Sequence, residues 1–340
     1  MKFRQYSILI FFFLICAGLS LMSFMGHLDE FGTEHNVPES PNKSAQVEES
    51  FFKNVTYYSV DGNHPFLELK ATELSLSSTN GTVVSFNPVG TVYRYEKDNS
   101  PLEPIYFSSQ KSRAFLKKKE LFLDNDVEVK NSATILNSQN MSILKGGELI
   151  YAYNNVKTVS TVEKTSDQLL ITSKSATYRP KEQIFEYRDS INGKITRKRK
   201  YEENVEFKTD LLTLNVLESH IEMKGNVSFT KDNLDAQASR GEVFLENYNK
   251  RLKYYALYDD VRLQERLVHS GKPLMRKAFS EKLEGLISDK KILLTGLPKV
   301  FQEKDVIKGN RIIIRENVET VEVDDANTNI TLDKKKEKTE

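Results

Sequence analysis

Few side chains in this sequence have the types and spacing needed for catalysis or metal binding. The five histidines are widely separated, and the single cysteine, Cys16, lies in an apolar run; the histidines are His27, His35, His64, His220 and His269. One cysteine excludes a disulfide framework and a cysteine-based zinc site. The scattered histidines argue against a histidine-rich metal site, so we predict neither a metal nor a cofactor.

Two adjacent carboxylate pairs, Asp259–Asp260 and Asp324–Asp325, are the remaining candidates for acid–base chemistry. Neighbouring side chains of a strand point to opposite faces, so neither pair predicts the facing carboxylates of a glycan hydrolase. The sequence also contains no Gly-x-Ser-x-Gly, phosphate-loop or His-Glu-x-x-His motif. We therefore predict that the protein is not an enzyme.

The charge balance argues against a nucleic-acid partner. The 340 residues include 49 basic and 48 acidic side chains, which leaves a net charge of +1. Nucleic-acid-binding domains normally carry a clear basic excess. The length itself predicts about two domains.

An uncharged run from Tyr6 to Met25 predicts a transmembrane anchor. A helix of this length reaches roughly 30 Å, which is the thickness of the hydrocarbon core of a bilayer. Lys2 and Arg4 precede the run and acidic residues follow it, so residues 1–5 are predicted to be cytoplasmic and the bulk of the chain exported. A cleaved signal peptide is the less favoured alternative. Residues 26–50 are polar, contain two prolines and are interpreted as a linker.

From Phe51 onward the sequence predicts an all-β protein. Between Ile221 and Phe229 apolar side chains alternate with polar ones, which is typical of a half-buried strand. Asp61–Gly62, Asn80–Gly81 and Asn192–Gly193 are dipeptides that favour hairpin turns. Residues 278–287 also fit a helical spacing, but Gly285 interrupts it and a strand is favoured.

One short motif recurs: an apolar residue, two others, Asp or Asn, Val, one residue and a second apolar residue. It occurs as LDNDVEV, YEENVEF, MKGNVSF and LYDDVRL, with a degenerate copy GLPKVFQ; the central valines are Val127, Val205, Val227, Val261 and Val300. Asp and Asn tolerate a left-handed backbone, so each copy predicts a strand, a tight polar kink and a second strand. The uneven spacing argues against a solenoid of fixed period.

The carboxyl half carries a more specific resemblance. LEGLISDKKILLTGLPKVFQEKDVIKGNRIII (283–314) and DAQASRGEVFLENYNKRLKYYALYDDVRL (235–263) resemble the OstA-like family of lipopolysaccharide transport proteins. The amino-terminal anchor followed by LFLDNDVEV (121–129) resembles the LptC-type members of that group. The resemblance implies an elongated β-jellyroll, divided into an LptC-like module (51–200) and an LptA/OstA-like module (201–330). Residues 331–340 are charged and are interpreted as a disordered tail.

The resemblance also implies a function. It describes a non-enzymatic bridge, anchored once in the inner membrane with its bulk in the periplasm, that carries lipopolysaccharide from an inner-membrane ABC transporter toward the outer membrane. Acyl chains need an apolar groove, because each buried CH₂ contributes about 0.8 kcal/mol. The candidates to line it are Leu121, Leu123, Val127, Val129, Ile221, Met223, Val227, Phe229, Val261 and Leu263. For any single one, simple core packing is the favoured interpretation.

Strand edges of an open jellyroll invite pairing with another chain. The first strands (55–76), with Val55, Leu67 and Leu69, are predicted to pair with a periplasmic jellyroll of the ABC transporter complex. The last strand (317–323), with Val318, Val321 and Val323, is predicted to pair with the next, LptA-like bridge protein. Basic clusters at Lys117–Lys119 and Lys194–Lys200 have the chemistry to contact lipid A phosphates, but solvated hairpin ends are the favoured interpretation.

A membrane-anchored β-sandwich ectodomain with an adhesion or scaffolding role remains the alternative. Six Asn-x-Ser/Thr sequons suit a glycosylated ectodomain: Asn42, Asn54, Asn80, Asn140, Asn226 and Asn329. The exported part has no cysteine, which is unusual for such a domain.

Overall fold

The computed structural model describes the chain in ten stretches. They are residues 49–77, 81–96, 98–132, 134–161, 167–198, 203–246, 252–269, 272–316, 318 and 321–324. All of them lie in one unit, Val47–Glu340. In these stretches no helix is long and apolar enough to cross a membrane. The predicted anchor, nearly all of the linker, and the charged tail lie outside them.

Twenty-one strands account for most of the described residues, which confirms the all-β fold. The strands are β1 (Glu49–Asp61), β2 (His64–Ser77), β3 (Thr82–Phe86), β4 (Val89–Tyr95), β5 (Pro101–Ser108), β6 (Lys111–Phe115), β7 (Glu120–Lys130), β8 (Thr134–Leu144), β9 (Leu149–Thr161), β10 (Gln168–Arg179), β11 (Ile184–Thr196), β12 (Val205–Asn215), β13 (His220–Lys231), β14 (Leu234–Leu245), β15 (Leu252–His269), β16 (Lys272–Leu286), β17 (Lys291–Thr295), β18 (Lys299–Gln302), β19 (Asp305–Lys308), β20 (Arg311–Arg315) and β21 (Val321–Asp324). Two 3₁₀ turns, Leu116–Lys118 and Lys145–Gly147, join β6 to β7 and β8 to β9.

From β7 to β16 each strand pairs antiparallel with the next strand in the chain. At the amino end, long β2 pairs with β1 on one side and with short β3 and β4 on the other. At the carboxyl end, β16 similarly pairs with β17 and β18. The ladder passes from β11 to β12 without a break in pairing. The division of the chain into two modules near residue 200 stays a prediction about sequence relationships.

A line of kinks folds this long ladder into two layers. Every odd strand from β7 to β15 shifts register at two consecutive residues with positive φ. These pairs are Asn125–Asp126, Asn154–Asn155, Asp189–Ser190, Gly225–Asn226 and Asp259–Asp260. Most of these residues are Asn, Asp or Gly, which enter the left-handed region at little cost. We call this line the crease.

Four of the five even strands from β8 to β16 cross the crease with a different device, a buried hydroxyl. Thr209 Oγ1 on β12 lies 3.2 Å from the carbonyl oxygen of Leu211 and 2.9 Å from that of Lys224. Ser138, Ser173 and Ser280 donate to the carbonyl two residues further on at 2.7, 2.9 and 3.0 Å. These bonds satisfy carbonyl groups that the register shift removes from the ladder.

The crease separates layer A from layer B. Layer A contains the strand segments that include residues 127–130, 156–161, 191–196, 227–231 and 261–269; layer B contains those that include 120–124, 149–153, 184–188, 220–224 and 252–258. Apolar side chains from both layers meet in one contiguous core that extends from Phe66 to Ile314. The Phe229 ring of layer A stacks on Tyr255 of layer B with centroids 4.3 Å apart. The result is a two-layer β-jellyroll closed by folding a single ladder.

Several sequence predictions about elements are confirmed. The β1–β2 hairpin turns at Gly62, with Asp61 opposite His64, and the β2–β3 hairpin ends at Gly81. Residues 278–286 lie in β16, so the helical alternative is wrong. The kinks predicted in LDNDVEV, MKGNVSF and LYDDVRL are confirmed at the crease.

Other predictions about elements are wrong. Asn192–Gly193 is not a turn, because both residues lie within β11 and pair with Lys208 and Phe207. A Cβ at Gly193 would lie 2.0 Å from the Phe207 ring, so the glycine makes room for packing. In YEENVEF, Val205 begins β12 instead of following a mid-strand kink.

Candidate functional site: the seam between the layers

The side of the jellyroll opposite the crease is a seam where the turns of the two layers face each other. Side chains bridge it at intervals. Lys181 of layer B pairs with Glu96 of layer A at 2.8 Å, and Asn131 Nδ2 donates to the Tyr178 hydroxyl at 3.5 Å. Lys119 and Asp61 form a third bridge near the amino end. Within the described stretches, the seam is therefore bridged by polar contacts between the rims.

Two apolar recesses lie along the seam, and both layers line each of them. The first has a volume of about 20 Å³, with Leu169 and Ile195 from layer A and Leu214 and Leu245 from layer B. The second also has a volume of about 20 Å³. Its walls include Ile105, Val129 and Leu136 from layer A and Ile150, Tyr178 and Phe185 from layer B.

A buried ion pair lies at the first recess. The Arg197 Nε atom is 3.0 Å from the Asp167 Oδ2 atom, and both side chains are only 3% exposed. Asp167 lines the recess and also accepts the backbone N–H of Lys198 at 3.1 Å. Sequence reasoning missed this pair, because Asp167 follows no motif and Arg197 lies inside the basic cluster 194–200, which was interpreted as solvated. Lys194 of that cluster pairs with Glu206 on the surface at 2.7 Å.

All ten residues predicted to line a groove face the shared interior. Their exposure ranges from 0 to 5%, and all belong to the contiguous core; they are Leu121, Leu123, Val127, Val129, Ile221, Met223, Val227, Phe229, Val261 and Leu263. Val129 also lines the second recess. In this closed arrangement each of them packs against protein, so their contact with lipid stays a prediction.

The predicted partner edges are partly wrong. Leu67 and Leu69 lie on β2, which β1 covers on one side and β4 on the other, so they are not at an edge. Val55 lies on β1, which pairs only with β2 in the described part of the chain. The exposed side chains Phe51, Tyr58 and Val60 follow this edge strand.

At the carboxyl end the predicted edge strand is described only in part. The strand β21 (Val321–Asp324) pairs with β20, and residues 317, 319 and 320 lie outside the described stretches. Val321 and Val323 lie on it, half-buried, whereas Val318 precedes it and is 46% exposed. Pairing of either edge with another protein stays a prediction.

The remaining candidate residues have structural or surface roles. Asp259 and Asp260 lie in the crease, and Asp260 pairs with Arg262 at 2.7 Å. Asp324 lies 3.8 Å from Arg311. In the sequons, Asn140 donates to Asp124 at 3.0 Å and Asn226 donates to Asp210 at 2.7 Å, so both amides support the crease. Within the described stretches, no three His, Cys, Asp or Glu side chains come together as metal ligands.

Burial changes the acidity of the aromatic hydroxyls beneath the seam. Burial raises the pKa of Tyr187, which is fully enclosed, and also that of Tyr178 at the second recess. The raised pKa moves both phenols further from ionisation at pH 7.

Part of the carboxyl half of the chain matches a known protein family. Residues 206–320 match the family model of the LptA/(LptD N-terminal domain) LPS transport protein, a stretch that runs from β12 through β20. The resemblance to the OstA-like family is therefore confirmed for this segment. No curated protein sequence matches the chain.

Among solved structures, the chain is similar to LptH, the LptA homologous periplasmic component of the lipopolysaccharide transport device of Pseudomonas aeruginosa. The two share 13% sequence identity with a TM-score of 0.34, over 38% of this chain and 95% of that one.

Proposed function

We propose that this protein is a non-enzymatic bridge component that binds lipopolysaccharide between its two layers and passes it from an inner-membrane ABC transporter toward the outer membrane. The observation that carries this proposal is the match of residues 206–320 to a lipopolysaccharide transport family, in a segment whose core continues into the rest of the jellyroll. The predicted anchor at residues 6–25 would hold the chain in the inner membrane with the jellyroll in the periplasm.

The layered architecture suits this task. Hydrocarbon chains of a lipid gain about 0.8 kcal/mol for each CH₂ that leaves water, so they need a continuous apolar interior. The core from Phe66 to Ile314 supplies one, and the seam supplies access along its length without breaking a backbone ladder. Entry requires that the rim bridges separate and that lipid chains replace the apolar contacts between the layers. Bridges between exposed side chains contribute about 0–1 kcal/mol each. Sugars and phosphates would remain outside, at the polar rim.

The two ends supply docking edges for this proposal. At the amino end, β1 exposes 13 residues of strand, and we propose that it pairs with a periplasmic jellyroll of the transporter. At the carboxyl end, β21 is the proposed partner of the next, LptA-like bridge protein. Main-chain hydrogen bonds would continue the ladder from one protein into the next.

Photo-crosslinking in cells tests whether lipid enters between the layers. A photoreactive residue at Val127, Met223 or Phe229 faces the interior and should capture lipopolysaccharide. The matched controls Glu222 and Lys224 lie on the outer face of β13 and pair with each other at 2.9 Å, so they should capture none. Equal labelling of both faces, or labelling of the outer face alone, would contradict the proposal.

A further inference from the structure

The carboxyl end of the seam is closed by buried charges that join the two layers. Lys231 lies at the end of β13 in layer A and pairs with Glu316, which follows β20 in layer B. Both residues are 7% exposed. Glu203 lies 3.4 Å from the same Lys231 ammonium group. This ion pair joins the two layers at the carboxyl-terminal mouth of the seam.

A second buried ion pair contacts the chain segment that follows β20. Arg276 and Glu265, both in layer A, are 0% exposed and pair at 2.9 Å. Arg276 Nη2 also donates to the carbonyl oxygen of Val318 at 2.8 Å, and its Nε donates to Gln302 at 3.0 Å. Glu316 and Val318 belong to the connection between β20 and β21, and we call these two residues the strap.

Two polar atoms in this cluster have no hydrogen bond within the described part of the chain. They are the Tyr255 hydroxyl and the Glu316 Oε1 atom. Burial, followed by the nearby carboxylates of Glu316, Glu265 and Glu203, raises the pKa of Tyr255, which keeps the phenol neutral. A buried polar group without a partner is costly, and water would satisfy both atoms if the mouth opened.

We infer that the strap is a latch that keeps the carboxyl-terminal mouth of the seam shut, and that its release lets the two layers part there. The inference rests on the proposed function, in which lipid must leave the interior at this end. The arrangement suits a device that opens, since buried ion pairs lose much of their attraction to desolvation whereas packed apolar groups do not. The strand β21 begins at Val321, so the latch and the proposed docking edge share one connection.

Pulsed electron spin resonance distances on the full chain in detergent, without lipid, test the latch. Spin labels at Asp289, in the turn after β16 in layer B, and at Lys304, in the turn after β18 in layer A, report the width of the mouth, in a Cys16→Ser background. In Glu316→Gln we expect a longer-distance population that the parent chain lacks. A second label pair at Asn63 and Lys118, across the amino end of the seam, should remain unchanged.

Two further variants make the result decisive. Glu222→Gln removes a surface carboxylate that pairs with Lys224, and it should leave the mouth distance unchanged. If Glu316→Gln does not fold, Glu203→Gln removes the more exposed partner of Lys231, and it should give a smaller shift in the same direction. An unchanged distance in folded Glu316→Gln, or in Glu203→Gln where Glu316→Gln does not fold, overturns the latch. Since no lipid is present, that outcome is independent of the crosslinking test of lipid binding.

Discussion

Gly193 lies opposite Phe207, and the ring occupies the space that a Cβ would need. Gly285 lies in the same relation to the ring of Tyr255, at 2.0 Å. At both positions a large aromatic side chain fills the interior because its neighbour on the next strand has no side chain. The aromatic packing of the core therefore depends on single glycines inside strands and not only on apolar residues.

Replacement of Gly193 by alanine should destabilise the protein by about 1–3 kcal/mol, because the added methyl group must displace the Phe207 ring in a packed core. Chemical denaturation measures this loss of folding stability. The double variant Gly193→Ala/Phe207→Leu should recover part of the loss, since the smaller side chain leaves room. Full stability of the single variant would show that the ring moves freely.

At the scale of elements, the crease has two alternating devices: a pair of left-handed residues on odd strands and a buried hydroxyl on most even strands. Thr209 serves the β12 crossing, where its hydroxyl lies within 3.2 Å of three carbonyl oxygens. Ala238 takes the corresponding place on β14, where Ser239 follows it. The buried hydroxyl therefore recurs along the crease but is missing from the β14 crossing.

Replacement of Thr209 by valine keeps the shape of the side chain but removes its hydrogen bonds. We expect a loss of about 1–3 kcal/mol, because buried carbonyl groups are left without a donor. Thr209→Ser retains the hydroxyl and should lose clearly less stability. Thermal or denaturant unfolding of both variants measures the difference. A smaller loss for valine than for serine would contradict this role of the hydroxyl.

Sequence patterns predicted the strands and three of the five crease kinks, because apolar alternation and Asp/Asn-Val phrases are local signals. They missed Asn154–Asn155 before Val156 and Asp189–Ser190 before Ile191. With these included, the residues after the kinks are Val127, Val156, Ile191, Val227 and Val261, which are 29 to 36 residues apart. The motif alone does not show this near-regular interval of one kink for every two strands. Val205 matches the motif, but it begins a strand and follows no mid-strand kink.

The seam could not be predicted from sequence. Its ion pairs join residues far apart in the chain, such as Lys231 with Glu316 and Lys181 with Glu96. Short sequence motifs do not indicate which residues pair when they are so far apart in the chain. The ten predicted lining residues were found by alternation alone, which identifies the inward face but does not distinguish packing from lipid contact.

At the scale of the whole molecule, one continuous ladder leads from an edge strand at the amino end to short strands at the carboxyl end. The strand β21 (Val321–Asp324) pairs with β20 through Val321 opposite Ile314. Its other edge offers main-chain groups to another protein.

Val321→Pro should block assembly with the LptA-like protein that we propose as the next component, because proline removes a main-chain donor from the edge. Val321→Ala keeps that donor and should assemble normally. Site-specific crosslinking from Glu322 in cells measures the contact. Normal crosslinking in the proline variant would show that β21 is not the docking edge.

The folding of one ladder along a crease has a consequence for how such chains vary in size. Each pair of successive strands brings its own kink and its own hydroxyl crossing, and neighbouring strands lie about 4.8 Å apart. Inserting or deleting a whole pair would change the reach of the protein in increments of roughly 10 Å while leaving both terminal surfaces intact. Inserting or deleting a single strand would instead reverse the chain direction of every strand that follows.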